Sequence, residues 1–489
     1  MNILWVTSEA VPFAKTGGLA DVSGALPEAL AARGHNVTVF MPYYPQQMGK
    51  LNIEFHKNYD MFGVPLFGST QWCGLHVYQK SKNLSFYFLE YNKFYDRPRL
   101  YDWVGQEYGD NAERFVLLSR AAMEAAIHFR LDPDIIHAND WHSALCCVYL
   151  RSGLYSGLHN FRNAKSVLTI HNIGYQGIFP KDKIYATGLG WEYFNYTCLE
   201  FHDRMNFLKG GIMTADMVNT VSPTYAKEIL CPEFSFSMDP ALNCRNEQGR
   251  LRGIINGIDT AEWDPQNDPL LPATFSPDDL SGKQVCKEAI QKHFGLPVRK
   301  DVPLFASISR LAWQKGLDVL ASAMDTLLRQ DDIQFVLFGS GDPALESRYH
   351  WLKEHFPEKF AFFAGYAPND LTHTLEAGAD FFVMPSRYEP CGLNQMYSMR
   401  FGTLPIVRET GGLADTVTNF NYKNQDQATG FVFHDLHTDA LAATMRWAAD
   451  VRTREPAAFK AMRINAMNKD LSWNNTASQY ERMYEDAHR

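Results

Sequence analysis

The chain has 489 residues, too many for one ordinary hydrophobic core, so two domains are expected. Its 46% hydrophobic and 21% charged residues exclude a disordered or fibrous chain, and a formal charge of −9 argues against nucleic acid or anionic membrane as a partner. No apolar run approaches the roughly 18 residues of a membrane span, and no basic leader or transit peptide precedes the first strand, so a cytoplasmic location is expected.

Cysteines are scattered at positions 73, 146, 147, 198, 231, 244, 286 and 391, with no C-x-x-C pair. That spacing fits neither a zinc site nor a disulfide framework, so reduced thiols and no metal are expected. The 23 tyrosines and 10 tryptophans offer aromatic faces for sugars as well as for a core.

Asn2-Ile3-Leu4-Trp5-Val6-Thr7 reads as a buried first strand, and Leu19, Val22, Leu26 and Leu30 have helical spacing that stops at Arg33-Gly34. Between them lies Lys15-Thr16-Gly17-Gly18-Leu19-Ala20-Asp21. A lysine and two glycines at a strand-to-helix turn favour an anion such as phosphate, through backbone N–H groups and the helix dipole. A glycine turn needed only for packing is the competing reading. Residues 36–41 form a second strand, and 46–104 read as irregular apart from a strand around Phe86-Tyr87-Phe88-Leu89. Asp110 to Phe129 is a helix, and 134–137, 166–170 and 217–221 read as buried parallel strands.

Residues 231–285 are rich in Pro, Asn, Asp and Gly around one strand-like piece at 253–256, as a linker would be. Strands then recur at 304–308, 334–338, 360–363, 381–384 and 404–407, with helix-like segments among them. Two such arrays imply an α/β chain of two doubly wound domains, 1–252 and 253–472. A last helix within 473–489, with Tyr480, Met483 and Tyr484 on one face, is expected to cross back to the first domain.

Ligands of such sheets bind beyond the carboxyl ends of the strands. Asn139-Asp140-Trp141-His142 follows the 134–137 strand, and His171-Asn172-Ile173-Gly174 follows 166–170. In the second array Ser309-Arg310, Gln314-Lys315-Gly316, Gly339-Ser340-Gly341-Asp342 and Ser386-Arg387-Tyr388-Glu389 occupy equivalent places. Thr410-Gly411-Gly412-Leu413-Ala414-Asp415 repeats most of the first turn. Arg310 and Lys315 read either as a forked donor and point charge for a diphosphate or as a surface charge pair. Glu389 reads either as an acceptor for sugar hydroxyls or as a helix-dipole carboxylate. Asp140 and His171 are also readable as hydrogen-bonded residues at the core's edge. Asp132-Pro133-Asp134 is better explained as a turn than as a metal motif.

K-T-G-G-L-A-D, N-D-W-H, T-I-H-N-I-G-Y-Q-G, Phe207-Leu208-Lys209-Gly210-Gly211, Ile255-Asn256-Gly257-Ile258-Asp259, S-R-L-x-x-Q-K-G, Y-E-P-C-G-L and T-L-P-I-V-R-E-T-G-G-L-A-D-T-V occur in order. Over nearly the whole chain this set resembles the bacterial glycogen synthases and plant starch synthases. The resemblance implies a GT-B fold, two Rossmann-like domains with the site in the cleft between them. It implies transfer of glucose from ADP-glucose to the non-reducing end of an α-1,4-glucan, with retained configuration and without cofactor or metal. It leaves the oligomeric state open.

By the same resemblance, Lys15 and Gly18 lie near the donor diphosphate, with Thr410, Gly411 and Gly412 opposite. Arg310 and Lys315 neutralise the leaving ADP, and Glu389 holds the donor glucose. His171 borders the reacting sugar and Asp140 lies on the acceptor side. Tyr95 and Asn256 line the cleft, and Tyr366 offers a face for adenine. Gly341, Cys391, Gly392 and Leu393 complete the substrate-binding set. The chain departs from the family at Ala312-Trp313, where a smaller polar residue is common, and in the 231–250 segment. Two rivals remain: the same fold with a donor such as UDP-glucose, and a non-catalytic glucan-binding protein, which would lack the phosphate ligands present here.

Overall fold

The computed structural model describes residues 1–51, 55, 61–103 and 105–489. The chain forms two compact units, Met1–Gly257 with Trp473–Arg489, and Ile258–Ser472. We number the strands of the two large sheets only.

In the first unit these are β1 (Asn2–Val6), β2 (Asn36–Pro42), β3 (Phe62–Leu66), β4 (Ser69–Ser81), β5 (Leu84–Glu90), β6 (Ile135–Asn139), β7 (Lys165–Ile170), β8 (Met217–Thr220) and β9 (Leu251–Gly253). Their order is β9-β8-β7-β6-β1-β2-β5-β4-β3. From β9 to β5 every neighbouring pair is parallel, while β5-β4 and β4-β3 are antiparallel. Parallel strands need both faces covered, which explains why β1, β6 and β7 read as near-continuous apolar runs.

The 46–104 stretch is more ordered than its sequence suggests. Strand β4 alternates buried Cys73, Leu75 and Val77 with the more exposed Trp72, Gly74, His76 and Tyr78, a half-exposed pattern that a search for continuous apolar runs passes over. Residues 52–54, 56–60 and 104 of that stretch lie outside the described residues. The 231–285 segment also differs from expectation. Pro232–Ser235 and Asp239–Glu247 are helices with proline in their first turn, where its missing N–H costs nothing. Strand β9 then joins the first sheet, so Gly253 to Gly257 fall within the first unit and the boundary follows Gly257.

The terminal helix, Trp473–Ala487, packs into the first unit. Tyr480, Met483 and Tyr484 are buried, each contributing of order 2 kcal/mol by burial. Their polar ends are satisfied: Asn219 Nδ2 donates to Tyr480 Oη at 3.0 Å, and Tyr484 Oη lies 2.8 Å from His137 Nδ1. Arg33 pairs with Glu481 of the same helix at 2.6 Å.

The second unit is a wholly parallel sheet of β10 (Leu304–Ile308), β11 (Gln334–Gly339), β12 (Phe360–Ala364), β13 (Phe381–Met384), β14 (Leu404–Arg408) and β15 (Phe431–Phe433), ordered β12-β11-β10-β13-β14-β15. β15 was not foreseen, being too short to stand out as a run. At the amino ends of β10 and β13, Asp380 accepts from Leu304 N–H at 3.0 Å and meets Lys287, Arg452 and Arg463 at 2.8, 3.0 and 2.7 Å. Burial alone would raise this carboxyl, but the three cations hold it well below the usual carboxylate range. That anchor lies away from the carboxyl ends, where the candidate functional residues gather.

Candidate active site

In the first unit, the turn after β1 is organised by a residue the sequence reading missed. Glu9 is buried, and its Oε2 accepts from Thr16 N–H at 2.5 Å, Thr16 Oγ1 at 2.8 Å and Gly17 N–H at 3.3 Å. Tyr101 donates to its Oε1 at 3.1 Å. Burial raises the Glu9 carboxyl above its ordinary value, against the pull of those donors. The donors of Thr16 and Gly17, expected to cradle phosphate, are thus occupied by the chain's own carboxylate. Lys15 is half-exposed and paired with Asp21 at 2.6 Å, while Gly18 opens the helix Gly18–Ala32. An acidic residue just after the first strand was the available signal for Glu9.

Asp140 and His171 follow β6 and β7, and the structure brings them together. Asp140 Oδ1 accepts from His171 N–H at 2.7 Å and Asn172 N–H at 3.4 Å. Burial pushes the Asp140 carboxyl up to about 7, the two backbone donors opposing the rise. Its φ of 53° is left-handed, a conformation that a short polar residue tolerates. Asn139 Nδ2 donates to Val6 carbonyl at 3.1 Å, which turns its Oδ1 toward His171 Nε2 at 3.0 Å. Nε2 therefore carries the proton, leaving Nδ1 as the ring's acceptor. Burial lowers the His171 imidazole to about 3, so the ring is neutral at physiological pH. Asp140 thus acts as a clamp on the backbone that presents His171.

Asp140 also gives a signed pH dependence. The folded chain takes up its proton near pH 7 and the unfolded chain only near 3.8, so this carboxyl adds stability on acidification through that window. Asp140→Asn should therefore show its most favourable thermal midpoint, relative to the parent, at pH 8. The variant-minus-parent difference should fall as the pH is lowered to 5; a flat difference would remove the buried carboxyl from the account.

Two first-unit expectations change. Tyr95 is fully buried, its hydroxyl donating to Arg114 carbonyl at 2.7 Å and its ring edge-on to Tyr44. It is a core residue and lines no site. Asn256 belongs to the first unit rather than the second, and its buried Oδ1 has no hydrogen-bond partner among the described residues.

In the second unit, the candidates collect beyond the carboxyl ends of neighbouring strands. Arg310 follows β10 and is exposed, with no ion pair among the described residues. The short turn Trp313–Lys315 ends at Gly316, whose φ is 65° and whose added Cβ would lie 2.0 Å from Pro385 carbonyl, so glycine is required. Lys315 Nζ reaches Glu389 Oε2 at 2.6 Å, and Ser386 Oγ donates to the same oxygen at 2.9 Å. Arg387 staples the two loops: it pairs with Asp318 through both nitrogens at 2.7 Å, donates to Trp313 carbonyl at 2.7 Å, and lies 4.8 Å from the Trp313 ring. Trp313 itself is 66% exposed.

The second T-G-G turn is not a twin of the first. Gly412 N–H donates to Glu389 carbonyl at 3.0 Å, and Cβ atoms on Gly411 and Gly412 would lie 1.9 Å from Glu389 O and 2.1 Å from Cys391 O. These glycines form the bed on which Glu389, Pro390 and Cys391 rest, so close packing is reason enough for glycine at both positions. Leu393 precedes the helix Asn394–Arg400, and Gln395 Nε2 ties it to the carbonyls of Cys391 and Gly392 at 3.1 and 2.9 Å. Gly341, after β11, gives its N–H to Glu346 at 2.9 Å. Tyr366, after β12, is 87% exposed.

Two Rossmann-like units, each with polar loops beyond the carboxyl ends of parallel strands, give the architecture of the GT-B class. A family model described as starch synthase catalytic domain matches residues 2–244, and one described as glycosyl transferases group 1 matches 289–461. A glycogen synthase of Anaeromyxobacter sp. (strain Fw109-5) is 45% identical over 487 residues, spanning 99% of both proteins. One from Myxococcus xanthus (strain DK1622) is 45% identical over 489 residues with the same coverage. The catalytic domain of starch synthase IV from Arabidopsis thaliana, solved with ADP and acarbose, superposes with a TM-score of 0.90 at 31% identity over 99% of each chain. Sucrose-phosphate synthase from Thermosynechococcus elongatus, 20% identical with a TM-score of 0.58 over 99% and 98% of the two chains, shares the fold alone. The chain belongs to the glycogen and starch synthase family, and it is a glycosyltransferase enzyme.

Proposed function

We propose that the protein transfers glucose from ADP-glucose to the non-reducing O4 of an α-1,4-glucan, retaining the anomeric configuration and using no metal or cofactor. The observation that carries this reading is a pair of cations on the second unit's loop after β10: exposed Arg310, and Lys315 held by a buried Glu389. The nucleotide is favoured by the ADP bound to the starch synthase IV domain, and the acceptor by the glycogen synthases to which the chain is similar. No helix of the described residues is long and apolar enough to cross a membrane, and the cysteines are free; cytoplasmic action is part of the same proposal.

Breaking the glucose–phosphate bond puts negative charge on ADP while positive charge develops at the anomeric carbon. Arg310 and Lys315 stabilise the former as fixed, preorganised charges. Glu389 orients Lys315 and accepts hydrogen bonds from the donor sugar. The acceptor O4 attacks on the face that ADP leaves, its proton passing to a phosphate oxygen, so one C–O bond forms as another breaks. Neutral His171 offers Nδ1 to a sugar hydroxyl.

Lys15, in the first unit, exchanges Asp21 for the donor phosphate. Because the principal ADP cations belong to the other unit, Lys15→Ala should lower turnover about 10- to 100-fold, the value of one charged hydrogen bond, while weakening ADP binding less. The reverse split would make Lys15 a ground-state ligand. The function itself is tested by incubating the enzyme with glycogen and labelled ADP-glucose or UDP-glucose, with and without chelator. Elongation from ADP-glucose, undiminished by chelator, is expected; preference for UDP-glucose overturns the donor assignment, and loss with chelator overturns the metal-free one.

A further inference from the structure

At the other edge of the first unit's sheet, where β7, β8 and β9 begin, a polar cavity of about 370 Å³ is lined by Arg151, Thr214, Arg245, Gln248 and Arg250. The carboxyl ends of the helices Leu145–Arg151, Phe207–Thr214 and Asp239–Glu247 supply most of its wall. Lys165 and His171 bracket β7, and six residues of strand put this cavity about 20 Å from His171 along the strand.

The cavity carries an excess of positive charge. Arg151 Nη2 meets Asp216 Oδ1 at 2.6 Å and Lys165 Nζ lies 3.9 Å from the same oxygen. Asp216 Oδ2 is taken by Ser166 N–H at 2.9 Å and Ser166 Oγ at 3.1 Å. Arg245 donates to Ala215 carbonyl and to Gln248 Oε1 at 2.8 Å, and Arg250 to Asp216 carbonyl at 2.8 Å. Among the described residues Asp216 is the one carboxylate paired with any of these four cations.

Backbone carbonyls satisfy hydrogen bonds but cancel no full charge. Arg245 is only 7% exposed, and its Nε is buried without a partner among the described residues. Burial holds that guanidinium below its ordinary value, with Arg250 adding to the shift. Nature's usual answer to several guanidinium forks round a polar hollow is a multiply charged oxyanion. We propose that this cavity binds a phosphate group, free or carried by a phosphomonoester, at a site separate from the one that performs glucosyl transfer. Thr214 and Gln248 add neutral polar groups beside the arginines, which suits a phosphorylated sugar as well as free phosphate.

The test is calorimetric titration of the full-length enzyme, held in saturating ADP, with inorganic phosphate and with a hexose 6-phosphate, against chloride at matched ionic strength. Arg250→Gln is the first variant, because that side chain reaches only a backbone carbonyl; Arg151→Gln, whose loss also takes a partner from the buried Asp216, is the second, with the thermal midpoint of each measured alongside. Each should weaken phosphate binding at least 10-fold and the double variant more, with turnover in phosphate-free buffer unchanged. Tighter binding of the hexose phosphate identifies a sugar phosphate as the ligand class, and equal binding identifies free phosphate. Unaltered affinity in both variants, or an equal response to chloride, overturns the proposal.

Discussion

Lys315→Ala should lower turnover about 10³-fold while the protein still folds, and Arg310→Ala should lower turnover by a comparable factor with its thermal midpoint unchanged. The size follows from what one preorganised donor is worth to a developing anion, about 10²–10³ in kcat, increased here by the loss of a full charge. The two variants separate in stability because their surroundings differ. Arg310 is exposed, and its side chain makes no ion pair among the described residues. Lys315 is the cationic partner of Glu389, whose side chain is 6% exposed, and removing it leaves that carboxylate with Ser386 Oγ alone among the described residues. Breaking a fully buried pair costs about 3–5 kcal/mol; Lys315 keeps some contact with water, so about 2–3 kcal/mol is expected. Lys315→Arg should recover most of the stability and little of the rate, since a planar fork does not replace a point charge at that distance. Kinetics with ADP-glucose together with chemical denaturation of all three variants checks this. Near-parental turnover in Lys315→Ala would remove the lysine from the chemistry.

Much of this was readable before any fold was known, for a physical reason. Parallel strands buried on both faces announce themselves as apolar runs, so β1, β6, β7 and the strands from β10 to β14 are visible, and with them the loops at their carboxyl ends. Arg310, Lys315, Glu389, Asp140 and His171 all lie in such loops. What sequence does not carry is which loop touches which. Glu9 occupying the first glycine turn, Asn139 fixing the tautomer of His171, and Arg387 stapling the Trp313 turn to the Glu389 loop are contacts between segments far apart in the chain or hidden by ordinary residue types. The hairpin β3-β4 escaped because half-exposed strands give no continuous apolar run, and the domain boundary was set early because three residues of β9 do not show which sheet they join. Tyr95 misled for a different reason: a tyrosine in a polar, aromatic stretch gives no sign that its hydroxyl is satisfied by a carbonyl inside the core.

The two T-G-G turns provide the sharpest case, because identical words have different physics. Gly411→Ala should destabilise the protein and nearly abolish turnover, whereas Gly17→Ala should do little to either. Gly411 has φ of 44°, a left-handed conformation that costs an alanine about 1–2 kcal/mol by itself. Its new Cβ would also sit 1.9 Å from Glu389 carbonyl, backbone that cannot swing aside as a side chain does. The loop must shift, and the carboxylate that holds Lys315 shifts with it; a displacement of about 1 Å at a reacting centre is enough for roughly 10²-fold in rate. Gly17 has an extended φ of −152°, and nothing lies within 4 Å of where its Cβ would be. An alanine there keeps the Thr16 and Gly17 N–H bonds to Glu9 and is slightly stiffer in the unfolded chain. Thermal midpoints and kcat for the two variants, measured side by side, decide whether the second turn is a bed for Glu389. Equal and small effects would restore it as a second phosphate turn, and equal and large ones would mean that the first turn is packed as tightly as the second.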